Sequence, residues 1–192
     1  MRNLEVIKKG FINVLTLIRI PLTILFIILF NTTDNKVPQL TILSLIILSD
    51  FIDGKIARKF NIQSKIGSIL DPYCDLFFVL CTSILFNIYN LVSITYTFIL
   101  IFKFAEFNIT SYYAGMSSNK IPFMFDKVGR VVTALYQVVP FVVVIPLLSQ
   151  YCSAYIAFLV IGTLISSTLR ICTLMQPSII ILHKFSSKKR EN

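Results

Sequence analysis

The sequence predicts an all-α integral membrane protein with six transmembrane helices, preceded by a short basic surface segment. Hydrophobic residues make up 56% of the 192 residues and charged residues only 14%, a composition typical of membrane proteins. The apolar residues form six segments of about 20 residues, the length needed to cross the hydrocarbon core. The chain has a net charge of +9. Its cations cluster beside these segments, which favours an anionic membrane surface and excludes nucleic acid as the partner.

The predicted spans are separated by short polar stretches, such as the loop 31–36 after the first span. They cover residues 11–30, 37–59, 64–89, 92–113, 128–148 and 151–175. Pro140 and Pro146 lie inside the fifth span. Residues 1–9 form the basic surface segment, for which a frayed terminus is the alternative. The length suits a single transmembrane domain over residues 1–192.

The distribution of Lys and Arg predicts the orientation of the spans. Six spans place both termini on the same side of the membrane, and the opposite side carries only Lys36. The rich side is cytoplasmic by the positive-inside rule, and its residues are Arg2, Lys8, Lys9, Lys55, Arg58, Lys59, Lys65, Lys120, Lys127, Arg130, Lys184, Lys188, Lys189 and Arg190. We therefore expect a multi-pass protein of the cytoplasmic membrane whose active site faces the cytoplasm.

Residues 50–75 hold four of the nine acidic residues, although the flanking segments are strongly apolar. A carboxylate near lipid is costly and is by default a functional residue. Asp50 and Asp53 are three residues apart and Asp71 and Asp75 four apart, so each pair lies on one face of a helix. Two antiparallel helices would point the four carboxylates at one another, and divalent cations would relieve their repulsion. All-oxygen ligands favour Mg²⁺, Mn²⁺ or Ca²⁺, and a carboxylate-held metal pair supports phosphoryl chemistry.

The same stretch contains the complete pattern D-x2-D-G-x2-A-R-x8-G-x3-D-x3-D. Its fixed positions are Asp50, Asp53, Gly54, Ala57, Arg58, Gly67, Asp71 and Asp75. This pattern resembles the signature of the CDP-alcohol phosphatidyltransferases, integral membrane enzymes of phospholipid synthesis. The L-D-P-x-x-D segment around Pro72 is most similar to the phosphatidylglycerophosphate synthase branch. The alternative is that these polar residues are only hydrogen-bonded between helices.

The resemblance implies a role for each residue of the pattern. Asp50, Asp53, Asp71 and Asp75 would hold two Mg²⁺ or Mn²⁺ ions, and Asp75 would also be the general base. The residues implied for the CDP-lipid are Asn13, Thr16, Gly54, Ala57, Arg58, Ser64 and Gly67. The glycines and Ala57 also suit close helix packing, and Arg58 also suits a positive-inside anchor.

Asn13, Thr16 and Arg19 form a polar stripe at every third residue of the first span. The stripe resembles the N-x-x-T-x-x-R opening of the family, where it lines the nucleotide site. An ordinary helix end, with Arg19 extending to the membrane interface, is the alternative.

A set of cations is implied for the phosphate of an acceptor: Lys103, Lys127, Arg130 and Arg170. K-V-G-R-V-V-T, which starts at Lys127, is similar to a segment of phosphatidylglycerophosphate synthases. Lys103 has an alternative partner in Glu106, three residues away. Leu76 follows the fourth Asp, where many relatives with phosphorylated acceptors have a cation, so the acceptor stays open.

The expected function is the transfer of a phosphatidyl group from CDP-diacylglycerol to a small alcohol, with release of CMP. Glycerol 3-phosphate is the first choice of acceptor, and inositol phosphate, serine or another alcohol is the alternative. A non-enzymatic divalent-cation carrier would also explain the carboxylates, but it would not explain Gly54, Arg58 and Gly67. The family resemblance also implies a homodimer in the lipid bilayer.

Overall fold

The computed structural model describes residues 14, 16–59, 65–118 and 127–175, and over these residues the protein is helical with no strand. The helices are α1 (Arg19–Thr32), α2 (Lys36–Lys59), α3 (Lys65–Ile88), α4 (Ile94–Ser118), α5 (Lys127–Val144), α6 (Pro146–Ser149) and α7 (Cys152–Met175). A helical turn precedes α1, where the Ile18 N–H donates to the Val14 carbonyl oxygen at 3.0 Å. The six long helices coincide with the six predicted apolar segments to within a few residues, except at the start of the first. The basic segment predicted for residues 1–9 lies outside the described residues.

The fifth predicted segment is divided into two helices. α5 ends at Val144, Ile145 is extended (φ −80°, ψ 114°), and Pro146 is the first residue of α6. A proline disfavours helical backbone at the residue before it and has no N–H to donate. The expectation that Pro146 lies inside a continuous helix is therefore wrong, whereas Pro72 and Pro140 do lie inside α3 and α5.

The long helices pack into one bundle with α3 and α5 at its centre. α3 contacts α1, α4 and α5, while α5 contacts α2, α3 and α7. The core is rich in aromatic contacts: Phe26 of α1 meets Phe86 of α3 edge-on at 6.4 Å, and Tyr96 of α4 lies 5.7 Å from Tyr136 of α5. These contacts fix the rotation of α1 and α4 about their own axes.

The bundle carries apolar side chains on its surface and polar side chains inside. Its large exposed hydrophobic residues include Ile24, Ile28, Leu48, Phe98, Phe102, Ile109, Phe158, Ile161, Leu164 and Ile165. The interior contains Arg19, Lys103, Glu106 and Arg170, all more than nine-tenths buried. An apolar surface of this extent is costly in water and is normal in lipid, so this distribution is that of a membrane protein.

Two stretches of the described chain are long and apolar enough to cross a membrane by themselves, Leu70–Ile88 and Cys152–Cys172. Arg19–Thr32 and Val131–Val144 are apolar but shorter. α2 carries six charged residues, which lowers its mean hydropathy.

Candidate active site

One face of α1 and the turn before it is buried against α2 and α3. Thr16, Arg19, Thr23 and Phe26 follow one another at intervals of three and four residues, and none is more than 1% exposed. This spacing keeps all four side chains on one side of the helix. Phe26 packs on Phe86, near the end of α3. Thr16 and Arg19 therefore face α3 nearer its start, where Asp71 and Asp75 lie.

Arg19 and Thr16 contact three of the four predicted carboxylates. The Nη2 atom of Arg19 lies 2.8 Å from Oδ1 of Asp50 on α2. Its Nη1 atom donates to Oδ1 of Asp75 on α3, and the Thr16 hydroxyl donates to Oδ1 of Asp71 at 2.9 Å. One guanidinium group thus bridges two helices, and the carboxylates of both helices border the same small volume.

The donor set of this acidic cluster, defined as Asp50, Asp71, Asp75 and Arg19, suits a hard cation. Three carboxylates against one guanidinium leave a formal charge of −2 before Asp53 is counted. Carboxylate oxygens are the ligands that Mg²⁺ and Mn²⁺ prefer. Within the described part of the chain, no three acidic, His or Cys side chains are arranged to hold a metal by themselves. Asp53, the fourth carboxylate, lies on α2, and its side chain is outside that part.

Asp75 also borders a cavity of about 70 Å³ that lies between α3, α4, α5 and α7. Pro72, Leu76 and Val79 of α3 line it together with side chains of α4, α5 and α7. The polar side chains in its wall are Asp75, Lys103, Thr133, Tyr136, Gln137 and Arg170. Asp75 therefore belongs to the acidic cluster and also lines a cavity whose wall includes two cations, Lys103 and Arg170.

The two cations belong to a buried ionic cluster between α4 and α7, formed by Lys103, Glu106, Ser166, Ser167 and Arg170. The Lys103 Nζ atom lies 2.7 Å from Glu106 Oε2, 3.0 Å from Ser166 Oγ and 3.2 Å from Ser167 Oγ. Arg170 Nε lies 3.8 Å from Glu106 Oε1. The Arg170 guanidinium also stacks over the Phe107 ring at 4.9 Å, a cation–π contact. The pairing of Lys103 with Glu106 that the sequence suggested is present as one contact of this larger cluster.

The structure brings together six of the predicted site residues, which are Thr16, Asp50, Asp71, Asp75, Lys103 and Arg170. Asn13 and Ser64 lie outside the described residues. The others lie on described helices, but their side chains are outside the description; they are Asp53, Gly54, Ala57, Arg58, Gly67, Lys127 and Arg130. Their predicted roles stay predictions.

Two features of the site were missed in the sequence. The sequence placed Arg19 in a stripe that lines the nucleotide site in the family, with the membrane interface as the alternative, but it did not predict that Arg19 is buried and contacts two carboxylates. The position of Arg19 inside an apolar segment, three residues after Thr16, could have indicated a buried functional contact. Ser166 and Ser167 gave no signal, because they meet Lys103 only through the packing of α7 on α4.

A sequence model of the family described as CDP-alcohol phosphatidyltransferase matches residues 11–169. The chain belongs to this family. The match takes in α1 to α6 and most of α7, so it includes the acidic cluster and all of the ionic cluster except Arg170. The resemblance seen in the pattern over residues 50–75 is confirmed.

Several curated proteins of this family are similar to the chain over part of its length. A CDP-diacylglycerol–glycerol-3-phosphate 3-phosphatidyltransferase of Rickettsia prowazekii is 36% identical over 81 residues, which are 41% of this chain and 45% of that protein. The enzyme of the same name from Aquifex aeolicus is 40% identical over 63 residues, 33% of this chain and 35% of that one. A cardiolipin synthase (CMP-forming) of Streptomyces coelicolor is 36% identical over 75 residues, 36% of this chain and 35% of its own length. The matched stretch thus spans less than half of each of these relatives.

Proposed function

We propose that this family member transfers a phosphatidyl group from CDP-diacylglycerol to glycerol 3-phosphate, which yields phosphatidylglycerophosphate and CMP. The observation that carries the proposal is the position of Asp75. Its carboxylate contacts Arg19 in the acidic cluster and also borders the cavity that contains Lys103 and Arg170. The acidic cluster would bind the metal ions and the pyrophosphate of CDP-diacylglycerol, and the cavity with Lys103 and Arg170 would bind the phosphorylated alcohol. Asp75 borders both and would therefore lie between the two substrates. Relatives named for this reaction in two bacteria add support.

In the proposed reaction, Asp75 accepts the proton of the acceptor hydroxyl. The alcohol oxygen forms a bond to the phosphorus that carries diacylglycerol, and the bond from that phosphorus to the bridging oxygen of CMP breaks. CMP leaves with the electron pair of that bond. The proton on Asp75 passes to solvent, so no oxidant or further reactant is required.

Asp50, Asp53, Asp71 and Asp75 would hold the Mg²⁺ or Mn²⁺ ions, two being the number that the family resemblance implies. When bound, such ions supply charge neutralisation for the pyrophosphate and for the departing CMP. The support from this chain is the chemistry of the donor set, which is all carboxylate oxygen with a net negative charge.

The CDP-lipid would lie along α1, α2 and the start of α3, against Asn13, Thr16, Gly54, Ala57, Arg58, Ser64 and Gly67. Thr16 supports this placement, since its hydroxyl already bonds Asp71 at 2.9 Å and so stands beside the acidic cluster. Arg58 has the forked donors that suit phosphate oxygens.

The phosphate of the acceptor would meet Lys103 and Arg170 in the cavity, with Lys127 and Arg130 at the start of α5 as further cations. Charge-assisted hydrogen bonds from such donors favour a dianion over a neutral alcohol. Leu76 lines the same cavity, at a position where many relatives with phosphorylated acceptors have a cation. An experiment must therefore distinguish glycerol 3-phosphate from an unphosphorylated acceptor.

A second acceptor class has one observation in its favour. The Streptomyces coelicolor relative is named a cardiolipin synthase that forms CMP, so the acceptor alcohol of this chain would in that case be carried on a lipid. The chemistry at phosphorus is the same for both classes. The choice between them depends on the cavity, not on the carboxylates.

We further propose that the six long helices all cross the cytoplasmic membrane, with both termini and the active site on the cytoplasmic side, and that the protein is a homodimer. The distribution of Lys and Arg supports this orientation. The exposed apolar side chains on the long helices support their contact with lipid.

The decisive experiment is an acceptor panel with purified protein and labelled CDP-diacylglycerol. Glycerol 3-phosphate, inositol phosphate, serine and phosphatidylglycerol are each added with Mg²⁺, and released CMP and the lipid product are measured. The proposal predicts CMP release with glycerol 3-phosphate and little with the others. CMP release with another acceptor only would move the function within the family, and absence of CMP with every acceptor would favour a cation carrier.

A further inference from the structure

We propose that Arg19 is an internal counter-cation that competes with the divalent cation for Asp50 and Asp75 and thereby lowers the metal affinity of the site. The inference rests on the proposed metal site and adds a residue that sets how tightly this site binds. It follows from the contacts of Arg19 and from the burial of its guanidinium group.

The guanidinium group of Arg19 forms ion pairs with two carboxylates of the acidic cluster. It contacts Oδ1 of Asp50 and Oδ1 of Asp75 with two different nitrogen atoms, and the side chain is 1% exposed. An arginine keeps its charge in proteins under all ordinary conditions. The two carboxylate oxygens therefore face a permanent positive charge that a metal bound by the same carboxylates must share or displace.

The backbone of Arg19 is held in place, so the side chain has little room to withdraw. The Thr23 hydroxyl donates to the Arg19 carbonyl oxygen at 2.7 Å, and Phe26, two turns after Arg19, packs on Phe86. Bulk water, which would stabilise a displaced guanidinium, has little access to this face of α1, where Thr16, Arg19, Thr23 and Phe26 are each at most 1% exposed. The positive charge thus stays within the cluster when a metal enters.

The consequence is a site that is assembled in advance but binds metal only moderately. Arg19 reduces the repulsion between Asp50 and Asp75 and so holds α2 and α3 at the spacing that the metal needs. Its charge also reduces the attraction for a divalent cation by Coulomb repulsion at short range. A merely structural arginine would have only the first effect, and its loss would weaken metal binding.

The test is Mn²⁺ binding to the full-length protein in detergent, measured by the EPR signal of free Mn²⁺, which requires no turnover. Arg19→Gln removes the charge and should tighten Mn²⁺ binding at least about tenfold. Arg19→Lys keeps the charge, but its single ammonium can approach only one carboxylate closely, so binding should tighten about threefold. Thr23→Val changes the same buried face of α1 without changing charge and should leave the affinity as in the wild type.

Tighter binding in the order Gln, Lys, wild type supports the proposal. Unchanged or weaker binding by Arg19→Gln, with Thr23→Val like the wild type, overturns it. If Arg19→Gln does not elute as a folded protein, Arg19→Lys is measured in its place. Tighter Mn²⁺ binding by Arg19→Lys than by the wild type supports the proposal, and unchanged or weaker binding overturns it. A wild-type protein that binds no Mn²⁺ would refute the proposed metal site itself, whereas normal binding with the wrong order of variants refutes only the competition by Arg19.

Discussion

At the scale of single residues, Asp75 has contacts that distinguish it from the other carboxylates. It shares Arg19 with Asp50, yet it also lines the cavity with Lys103 and Arg170. Asp50 and Asp71 do not line that cavity. A proton acceptor must lie within hydrogen-bond reach of the acceptor hydroxyl. Among the carboxylates that the structure describes in the cluster, Asp75 is the one that lines the cavity proposed for the acceptor.

Asp75→Asn should separate the base from the metal ligands. The amide keeps the shape of the side chain but accepts no proton, so we expect nucleotide binding to persist while kcat falls by roughly 10² or more. Asp50→Asn and Asp71→Asn should instead lose metal affinity, so a higher Mg²⁺ concentration should restore part of their activity. Initial rates of CMP release over a Mg²⁺ titration measure both effects. Rescue of Asp75→Asn by Mg²⁺, or near-normal turnover, would show that its role as base is wrong.

Arg170→Ala should raise the KM for glycerol 3-phosphate more than that for CDP-diacylglycerol. Loss of a charge-assisted contact to phosphate costs about 1.5–3 kcal/mol, which is roughly ten- to a hundredfold in KM. The matched control is Phe107→Leu, which removes the ring under the guanidinium and leaves its charge, so KM should change by only about threefold. Steady-state kinetics with each substrate varied in turn gives the comparison. Equal changes for both substrates would favour a neutral or zwitterionic acceptor.

At the scale of helices, α4 and α7 are joined by charged side chains in the interior of the bundle. Glu106 lies between Lys103 and Arg170 and also accepts from the Ser167 hydroxyl at 3.1 Å. Two cations and one carboxylate leave a surplus positive charge beside the cavity. The same residues thus hold two helices together and place two cations in the wall of the cavity, where we propose that the phosphate of the acceptor binds.

Glu106→Ala should destabilise the protein substantially. The substitution leaves two buried cations without the carboxylate that neutralises them, at a cost of about 3–5 kcal/mol. Ser167→Ala removes a hydroxyl from the same cluster and should cost only about 1 kcal/mol. The free energy of unfolding in detergent, from a denaturant titration, measures both. A loss for Glu106→Ala no larger than that for Ser167→Ala would contradict the account of this cluster.

The sequence predicted the positions of the helices better than it predicted their rotation about their axes. Long apolar segments with polar ends define where a helix starts and stops, and the six predicted segments have matching helices. The contact of Arg19 with Asp50 and Asp75 was not predicted, because it depends on the packing of Phe26 against Phe86. The spacing of Asp71 and Asp75 did predict that both lie on one face of α3, and both contact the segment that contains Thr16 and Arg19, since residues four apart point the same way whatever the packing.

At the scale of the whole molecule, the acidic cluster lies toward the end of the bundle at which α1 and α3 begin and α2 ends. Arg19 is the first residue of α1, whereas Asp50 lies nine residues before the end of α2 and Asp75 ten residues after the start of α3. The proposed cytoplasmic orientation puts this end where lipid headgroups meet the cytosol. CDP-diacylglycerol, with its acyl chains in the membrane and its nucleotide in water, would present its pyrophosphate at that depth.

The topology can be tested by cysteine labelling in a background without the four native cysteines. Single cysteines near Lys59, Lys120 and Lys188 should react with a membrane-impermeant reagent only from the cytoplasmic side. Cysteines near Asp34 and Gln150 should react only from the opposite side, since six spans alternate between the two. Labelling of the Asp34 and Lys120 positions from the same side would refute the six-span arrangement.

The central claim, phosphatidyl transfer at a metal-dependent carboxylate site, is tested most directly by one measurement. Purified protein is given CDP-diacylglycerol and glycerol 3-phosphate, and CMP and phosphatidylglycerophosphate are quantified with Mg²⁺, with EDTA, and with EDTA followed by excess Mg²⁺ or Mn²⁺. We predict equal amounts of the two products with Mg²⁺, none with EDTA, and recovery when the cation is restored, because clustered carboxylates need cations to bind a pyrophosphate. Full activity in EDTA, or no CMP under any of these conditions, would contradict the claim.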